Sequence, residues 1–113
     1  MRLKLIAGLV MAAAGAMMSA APAIAADADT AQALAKKSGC MKCHAVDKSK
    51  KGPSFQKTAA KWKGKADAEA KVTDVITKAP KVKAEDGSEE EHKVVDSKDP
   101  KEIKNLVQWI LAQ

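Results

Sequence analysis

Two cysteines and a histidine form the pattern Cys40-x-x-Cys43-His44, and the 113-residue chain contains no other cysteine. Two thiols three positions apart lie on one helical turn, so each could add to a vinyl group along the same edge of a porphyrin. The imidazole of His44 would then be carried beneath the iron as its proximal ligand. This spacing is typical of a c-type haem attachment site. We therefore expect one covalent haem c, attached through Cys40 and Cys43, with its iron bound by His44.

Three other kinds of site could use the same residues. A thioredoxin-like redox pair would require a βαβ pattern, which the sequence lacks. A disulfide between Cys40 and Cys43 would close so short a loop that it would add little stability. A zinc site could combine both cysteines with His44 and His92, the only histidines of the chain. Zinc sites of this composition space their histidines a few residues apart, whereas His44 directly follows a cysteine. The haem interpretation is therefore preferred.

Four helices are predicted to position this motif. They run from about Asp29 to Lys37, from Ser54 to Gly64, from Asp67 to Pro80 and from Asp99 towards the C-terminus. The first has Asp29 or Thr30 as its expected N-cap and Gly39 as its C-terminal stop. The last has Asp99 as its expected N-cap, followed by Pro100 in the first turn, where proline is favoured.

The last helix has the clearest apolar pattern of the four. Its apolar residues recur at helical spacing and are Ile103, Leu106, Val107, Ile110 and Leu111. No strand and no internal repeat is predicted. The charged segment 81–98 between the last two helices is expected to be a solvated loop. The sequence therefore predicts an all-α domain.

Residues 1–25 have the pattern of a secretory signal peptide. Arg2 and Lys4 precede an apolar run, and Ala23-Ile24-Ala25 supplies the small residues that signal peptidase accepts. The alternative, a transmembrane anchor, would need an apolar run of roughly 20 residues, which this segment does not reach. We expect a cleaved signal peptide at 1–25, a single domain at 26–113, no stable membrane anchor and a periplasmic location.

Charge is unevenly distributed along the chain, whose formal net charge is +6. Residues 26–83 carry 14 lysines and 6 acidic residues, whereas residues 84–113 carry 4 lysines and 8 acidic residues. This modest basicity with an acidic segment is unlike that of a nucleic-acid-binding protein. Six lysines near the cysteine motif could form a basic rim that steers acidic partners, or they could merely make the surface soluble. They are Lys36, Lys37, Lys42, Lys48, Lys50 and Lys51.

Five features follow one another along the chain: Cys40-x-x-Cys43-His44, Gly52-Pro53, Ala59-Ala60-Lys61-Trp62, the segment 68–76 and the segment 103–111. In this order they resemble the small class I bacterial cytochromes c, especially the short periplasmic type that donates electrons to terminal reductases. The resemblance implies a cytochrome c-like fold of four or five helices around one covalently bound haem, with the first and last helices crossing. It also implies that the carbonyl of Pro53 supports the proximal side by accepting the N–H of His44.

The methionine that usually binds iron on the distal side of these cytochromes is missing from the loop before the last helix. The only methionine beyond residue 25 is Met41, inside the cysteine motif. His92 precedes Trp109 by 17 residues, close to where the methionine would fall. We expect His92 to be the distal ligand, with Lys93 or an open or water-bound iron as the alternatives.

The expected function is that of a periplasmic monohaem electron carrier, a monomer that exchanges single electrons with protein partners and is not an enzyme. One alternative is a haem-based protein that binds or senses small ligands through an open or labile distal site. A peroxidase-like enzyme would need an open site together with a distal acid or base. His92 could not serve as that base while it binds iron.

Overall fold

The computed structural model describes Gly15 and residues 26–113. Its elements are helix α1 (Ala28–Lys37), a short 3₁₀ turn (Cys40–Lys42), helices α2 (Phe55–Trp62) and α3 (Ala68–Lys78), strands β1 (Lys81–Lys83) and β2 (Glu89–Glu91), and helix α4 (Pro100–Leu111). The predicted signal peptide lies outside the described residues, apart from Gly15, and stays a prediction. No helix within the described part of the chain is long and apolar enough to cross a membrane.

The four predicted helices are present, but the predicted start of the first one is wrong. The N-cap of α1 is Asp27, not Asp29 or Thr30, because its carboxylate accepts both the backbone N–H and the hydroxyl of Thr30. Asp27 is also held by a residue that is distant in the sequence, since Asn105 on α4 accepts its N–H and donates to its carbonyl. The predicted stop is correct: Gly39 follows the helix with a φ of +77°.

Two of the other helices have side-chain N-caps, at the residues where the sequence places their starts. Ser54 accepts the backbone N–H of Lys57 at the start of α2, and Asp99 accepts that of Lys101 at the start of α4. Helix α3 follows Asp67 without a side-chain cap. It ends at Ala79, which has a φ of +49° and immediately precedes Pro80.

Helix α4 is the centre of the core, because each of the other three helices packs against it. Leu106 and Val107 are completely buried in the middle of the helix, and Trp109 and Ile110 are nearly so. Ile103 and Leu111 lie at the edge of the same apolar stripe. The apolar stripe that the periodicity predicted on α4 therefore faces the core.

The charged segment before α4 is a β-hairpin, so the prediction of a loop without strands is wrong. Strands β1 and β2 pair antiparallel with Lys81 opposite Glu91 and Lys83 opposite Glu89. Opposite charges in register stabilise such a pair even where β-branched residues are scarce. The turn contains Gly87, whose φ is +87°, and Asp86 accepts the N–H of Ser88. The acidic run thus belongs to an ordered arm of the fold.

Candidate haem site

The cysteine motif folds as a tight turn directly after α1. The left-handed conformation of Gly39 reverses the chain, and the N–H groups of Cys43 and His44 then both bond to the carbonyl of Cys40. Cys40 and Cys43 are free thiols of intermediate exposure that line the same cavity. Burial raises the pKa of the Cys40 thiol. The turn therefore presents two thiols and one imidazole to one cavity wall.

The imidazole of His44 is fixed by three neighbours. Its Nδ1–H donates to the carbonyl oxygen of Pro53 over 2.6 Å, which leaves Nε2 as the nitrogen that could bind a metal. The ring of Phe55 stacks on it at a centroid distance of 5.4 Å and an angle of 22°. The Cα of Gly52 lies so close that a Cβ there would be 2.8 Å from Nδ1 of His44 and nearer still to Cε1. Burial lowers the pKa of His44, which favours the neutral form that can bind a metal.

His92 lies across the cavity from His44, directly after strand β2. The centroids of the two imidazole rings are 6.0 Å apart, with 35° between the ring planes. The Nδ1–H of His92 donates to the carbonyl oxygen of Lys93 over 2.7 Å, so its Nε2 is likewise the nitrogen that could bind a metal. Its own backbone N–H bonds to the carbonyl of Pro80, which ties the position to the end of α3.

Both histidines and both cysteines line one cavity of about 590 Å³. Most of its remaining wall is apolar and comes from Pro53, Phe55, Trp62, Val72, Val75, Ile76, Val82, Val94, Val95 and Ile110. A cavity with a largely apolar wall that also contains polar side chains is typical of a cofactor site.

The two tryptophans occupy different environments. Trp109 is 6% exposed and packs edge-on against Phe55, so it supports the ring that stacks on His44. Trp62 lines the cavity, and the ammonium groups of Lys61 and Lys65 lie 5.3 and 5.2 Å from its ring centroid. Both tryptophans therefore pack against neighbouring side chains.

All six lysines of the predicted rim are exposed, and three of them have specific partners within the described residues. Lys37 lies 3.8 Å from Asp96, Lys50 donates to the carbonyl of Met41, and Lys51 pairs with Glu90 over 2.8 Å. Lys93, the alternative distal ligand, lines the cavity, with its ammonium close to Gly39.

The chain is similar in sequence to known cytochromes c. The family model described as Cytochrome c matches residues 28–113. The chain is 36% identical over 87 residues to a cytochrome c-551 from Azotobacter vinelandii, a match that covers 74% of this chain and 98% of that protein. A match to cytochrome c-551 from Pseudomonas aeruginosa is 41% identical over 49 residues but covers only 43% of this chain and 47% of that protein.

Solved structures give the same result. A class 1 cytochrome, MtoD from Sideroxydans lithotrophicus ES-1, is 54% identical and superposes with a TM-score of 0.74, covering 78% of this chain and 97% of that one. The N64Del mutant of cytochrome c552 from Nitrosomonas europaea is 28% identical and has a TM-score of 0.57, covering 72% and 96% of the two chains.

The chain belongs to the cytochrome c family. Within that family it is a small class I monohaem cytochrome c, with the predominantly helical fold that the sequence predicted. Proteins of this family carry a covalently bound haem c and transfer electrons to redox partners, so the chain is a haem c electron carrier.

The residues that face the cavity fit this cofactor. First-row metals bind imidazole nitrogens at roughly 2 Å. Two imidazoles on opposite sides of one metal would therefore have ring centroids roughly 6 Å apart, once about 1 Å is added for each ring. The 6.0 Å between His44 and His92 matches this spacing. The stacking of Phe55 and the close approach of Gly52 were not predicted, because both contacts exist only after the chain between residues 44 and 55 has folded back on itself.

Proposed function

We propose that this protein is a periplasmic single-electron carrier whose haem iron is bound by two histidines. Cys40 and Cys43 form the thioether bonds to the haem, His44 is the proximal ligand and His92 is the distal ligand. One observation carries the proposal. Two imidazoles, each with its Nδ1–H bonded to a backbone carbonyl, line one cavity with their ring centroids 6.0 Å apart, a separation that a shared metal could span.

The two histidines have matching support from the backbone. The carbonyl of Pro53 accepts the Nδ1–H of His44, and the carbonyl of Lys93 accepts that of His92. A hydrogen bond of this kind fixes the tautomer of a metal-binding histidine, holds its ring plane and increases its basicity. The haem supplies the one-electron couple. With both His44 and His92 bound to its iron, the haem would take up and release an electron without the exchange of a ligand.

This ligand set predicts a lower reduction potential than the methionine-ligated members of the family have. Methionine–histidine ligation raises the potential of a cytochrome c, and an imidazole donates more strongly to ferric iron than a thioether does. The protein therefore suits low-potential partners. His92→Met should raise the potential measured by a redox titration of the holoprotein, whereas a potential unchanged by His92→Met would contradict distal ligation by His92.

Partners and location follow from the charges and from the first 25 residues. The exposed lysines near the cysteine motif favour acidic redox proteins as partners, since complementary charge speeds encounter. The signal-like segment 1–25 supports export to the periplasm. We infer a monomer that passes electrons between proteins and catalyses no reaction of its own.

The second candidate is a protein that binds or senses small ligands. It is favoured by the position of His92, which lies on an exposed charged hairpin and is itself only half-buried. An iron from which His92 departs on reduction would bind carbon monoxide or nitric oxide.

Mixing the reduced holoprotein with carbon monoxide separates the two functions. An electron carrier with both axial positions filled should show little change in its absorption spectrum within seconds. Rapid and complete formation of a carbon monoxide complex would instead establish the ligand-binding function.

The covalent attachment is tested by denaturation. Haem should stay with the wild-type polypeptide in an acidic organic solvent, and it should be released from a variant that combines Cys40→Ala with Cys43→Ala. Release of haem from the wild type would exclude thioether bonds.

A further inference from the structure

The hairpin that carries His92 is tied at Lys51 to the segment that precedes α2, and a second, longer ion pair of 3.5 Å joins Lys57 on α2 to Glu85 at the hairpin turn. The ammonium of Lys51 lies 2.8 Å from a carboxylate oxygen of Glu90 on strand β2. The carbonyl oxygen of the same lysine accepts the backbone N–H of Glu85, near the hairpin turn. One residue therefore contacts the hairpin through both its side chain and its backbone.

Lys51 is itself held firmly on the proximal side. The next residue, Gly52, lies against the ring of His44 and donates its N–H to the carbonyl of Cys43. The preceding residue, Lys50, donates its N–H to the carbonyl of Gly52. The tie thus joins the hairpin to the segment that packs against the proximal histidine.

The position of Glu90 makes this tie relevant to His92. Glu90 and His92 are two residues apart at the end of β2, and both line the cavity. Movement of this part of the chain away from the cavity would take His92 off the iron. The ion pair with Lys51 opposes that movement from one side, and the bond from His92 N–H to the carbonyl of Pro80 opposes it from the other.

We propose that Lys51 is a positioning residue for the distal ligand: its ion pair with Glu90 holds the hairpin over the cavity and limits how often His92 leaves the iron. The inference rests on the proposed function, because it requires His92 as the ligand. It adds a determinant of selectivity. An iron whose distal ligand seldom leaves can still exchange electrons, but it excludes small exogenous ligands.

The rate at which imidazole replaces His92 measures this opening. The ferric holoprotein is mixed with increasing imidazole at about pH 8, where free imidazole is neutral and its approach does not depend on protein charge. Since imidazole binds only after His92 has left, the observed rate should reach a plateau that equals the opening rate.

Breaking the ion pair should raise this plateau. Lys51→Met and Glu90→Gln should each raise it roughly twofold to fivefold, the range expected for a partly exposed ion pair. Both side chains are nearly half exposed, at 48% and 42%. The double variant should open no faster than either single variant, because the same interaction is lost in all three. Lys51→Arg should restore a plateau close to that of the wild type, and high salt should raise the plateau of the wild type and of Lys51→Arg but not that of the variants without the ion pair.

The matched control is Lys78→Met. It removes an ion pair of 3.0 Å with Asp74 within α3, at side-chain exposures of 71% and 51%, and that pair does not touch the hairpin. Its plateau should equal that of the wild type. Equal plateaus for Lys51→Met and Lys78→Met, or additive effects of Lys51→Met and Glu90→Gln, would overturn the role of Lys51.

Failure of the proposed function would look different. In that case the ferric wild type would be high-spin before mixing, with a rate of imidazole binding that rises without a plateau, or, with Lys93 as the ligand, His92→Ala would stay low-spin and keep the plateau of the wild type. Either result would remove His92 as the ligand, and with it the positioning role of Lys51. A low-spin wild type with a clear plateau that Lys51→Met does not change would overturn only the positioning role.

Discussion

Replacing Gly52 by alanine should disturb the proximal histidine through direct crowding. The new Cβ would lie 2.8 Å from Nδ1 and 3.0 Å from Nε2 of His44, and nearer still to Cε1. Ordinary contact begins at 3.4 Å, so the ring and the Gly52 backbone must separate by about 1 Å. The ring cannot simply swing away, because Phe55 stacks on it and its Nδ1–H is bonded to the carbonyl of Pro53.

The expected cost follows from this crowding. Adding a methyl group to a site without space for it typically costs about 1–3 kcal/mol. Weakening the hydrogen bond to Pro53 should add a contribution of about 1 kcal/mol. We therefore expect Gly52→Ala to lower the free energy of unfolding of the holoprotein by about 2–4 kcal/mol. The same change should alter the electron paramagnetic resonance spectrum, because that spectrum reports the orientation of the proximal imidazole.

Guanidinium unfolding followed by circular dichroism measures the stability, and Gly64→Ala is the control. A Cβ on Gly64 would meet nothing within 4 Å, but its φ of +73° makes any other residue strained there. Gly64→Ala should cost about 1–2 kcal/mol through the backbone and leave the resonance spectrum unchanged. A Gly52→Ala protein with wild-type stability and an unchanged spectrum would refute the close packing of Gly52 against His44.

Three further predictions concern the core, the first helix and the partners. Leu106→Ala, at a completely buried position, should lower the free energy of unfolding measured in urea by about 2–5 kcal/mol. Leu111→Ala, at the edge of the stripe, should lower it clearly less, and equal losses would contradict the packing of α4. Hydrogen bonds from Thr30 lower the pKa of Asp27 below its usual 3.8, so the stability that this N-cap adds should be complete above about pH 4 and lost as the pH falls through the lowered value. Asp27→Asn can still cap the helix and should remove this dependence of the stability on acid. Electron exchange with an acidic redox protein should slow as salt rises, and a rate independent of ionic strength would leave the exposed lysines with no steering role.

The helices could be predicted from the sequence because their boundaries are marked locally. Ser54, Gly39 and Pro80 each act within one turn of their own position, and the structure uses them as expected. The start of α1 could not be settled in this way, since Asp27, Asp29 and Thr30 are all good caps within four residues. Asn105 is 78 residues away from Asp27, and its two hydrogen bonds to Asp27 help to fix the chain there.

The hairpin was missed because its strands consist mostly of lysine and glutamate. The contribution of these charged residues to strand pairing depends on the register, which places Lys81 opposite Glu91 and Lys83 opposite Glu89. Register is a property of the pair and cannot be read from either strand alone. The Asp86-Gly87 turn was the one local signal of a hairpin in this segment.

The candidate site was predicted unevenly for a similar reason. The spacing of Cys40, Cys43 and His44 is local, so the chemistry of haem attachment could be inferred from the sequence alone. His92 was suggested by its distance from the last helix, and its proximity to His44 follows only from the path of the hairpin. The contacts of Gly52, Phe55 and Lys51 leave no pattern in the sequence, because each depends on segments that meet in the folded chain.

The electron paramagnetic resonance spectrum of the ferric holoprotein, recorded beside that of His92→Ala, tests the central claim most directly. With both axial positions filled by histidine, the wild type should be entirely low-spin, whereas His92→Ala should give a high-spin signal or one that changes when imidazole is added. Lys93→Ala is the matched control and should stay low-spin. If the wild type and His92→Ala have the same spin state, His92 does not bind the iron and the account of a bis-histidine electron carrier is wrong.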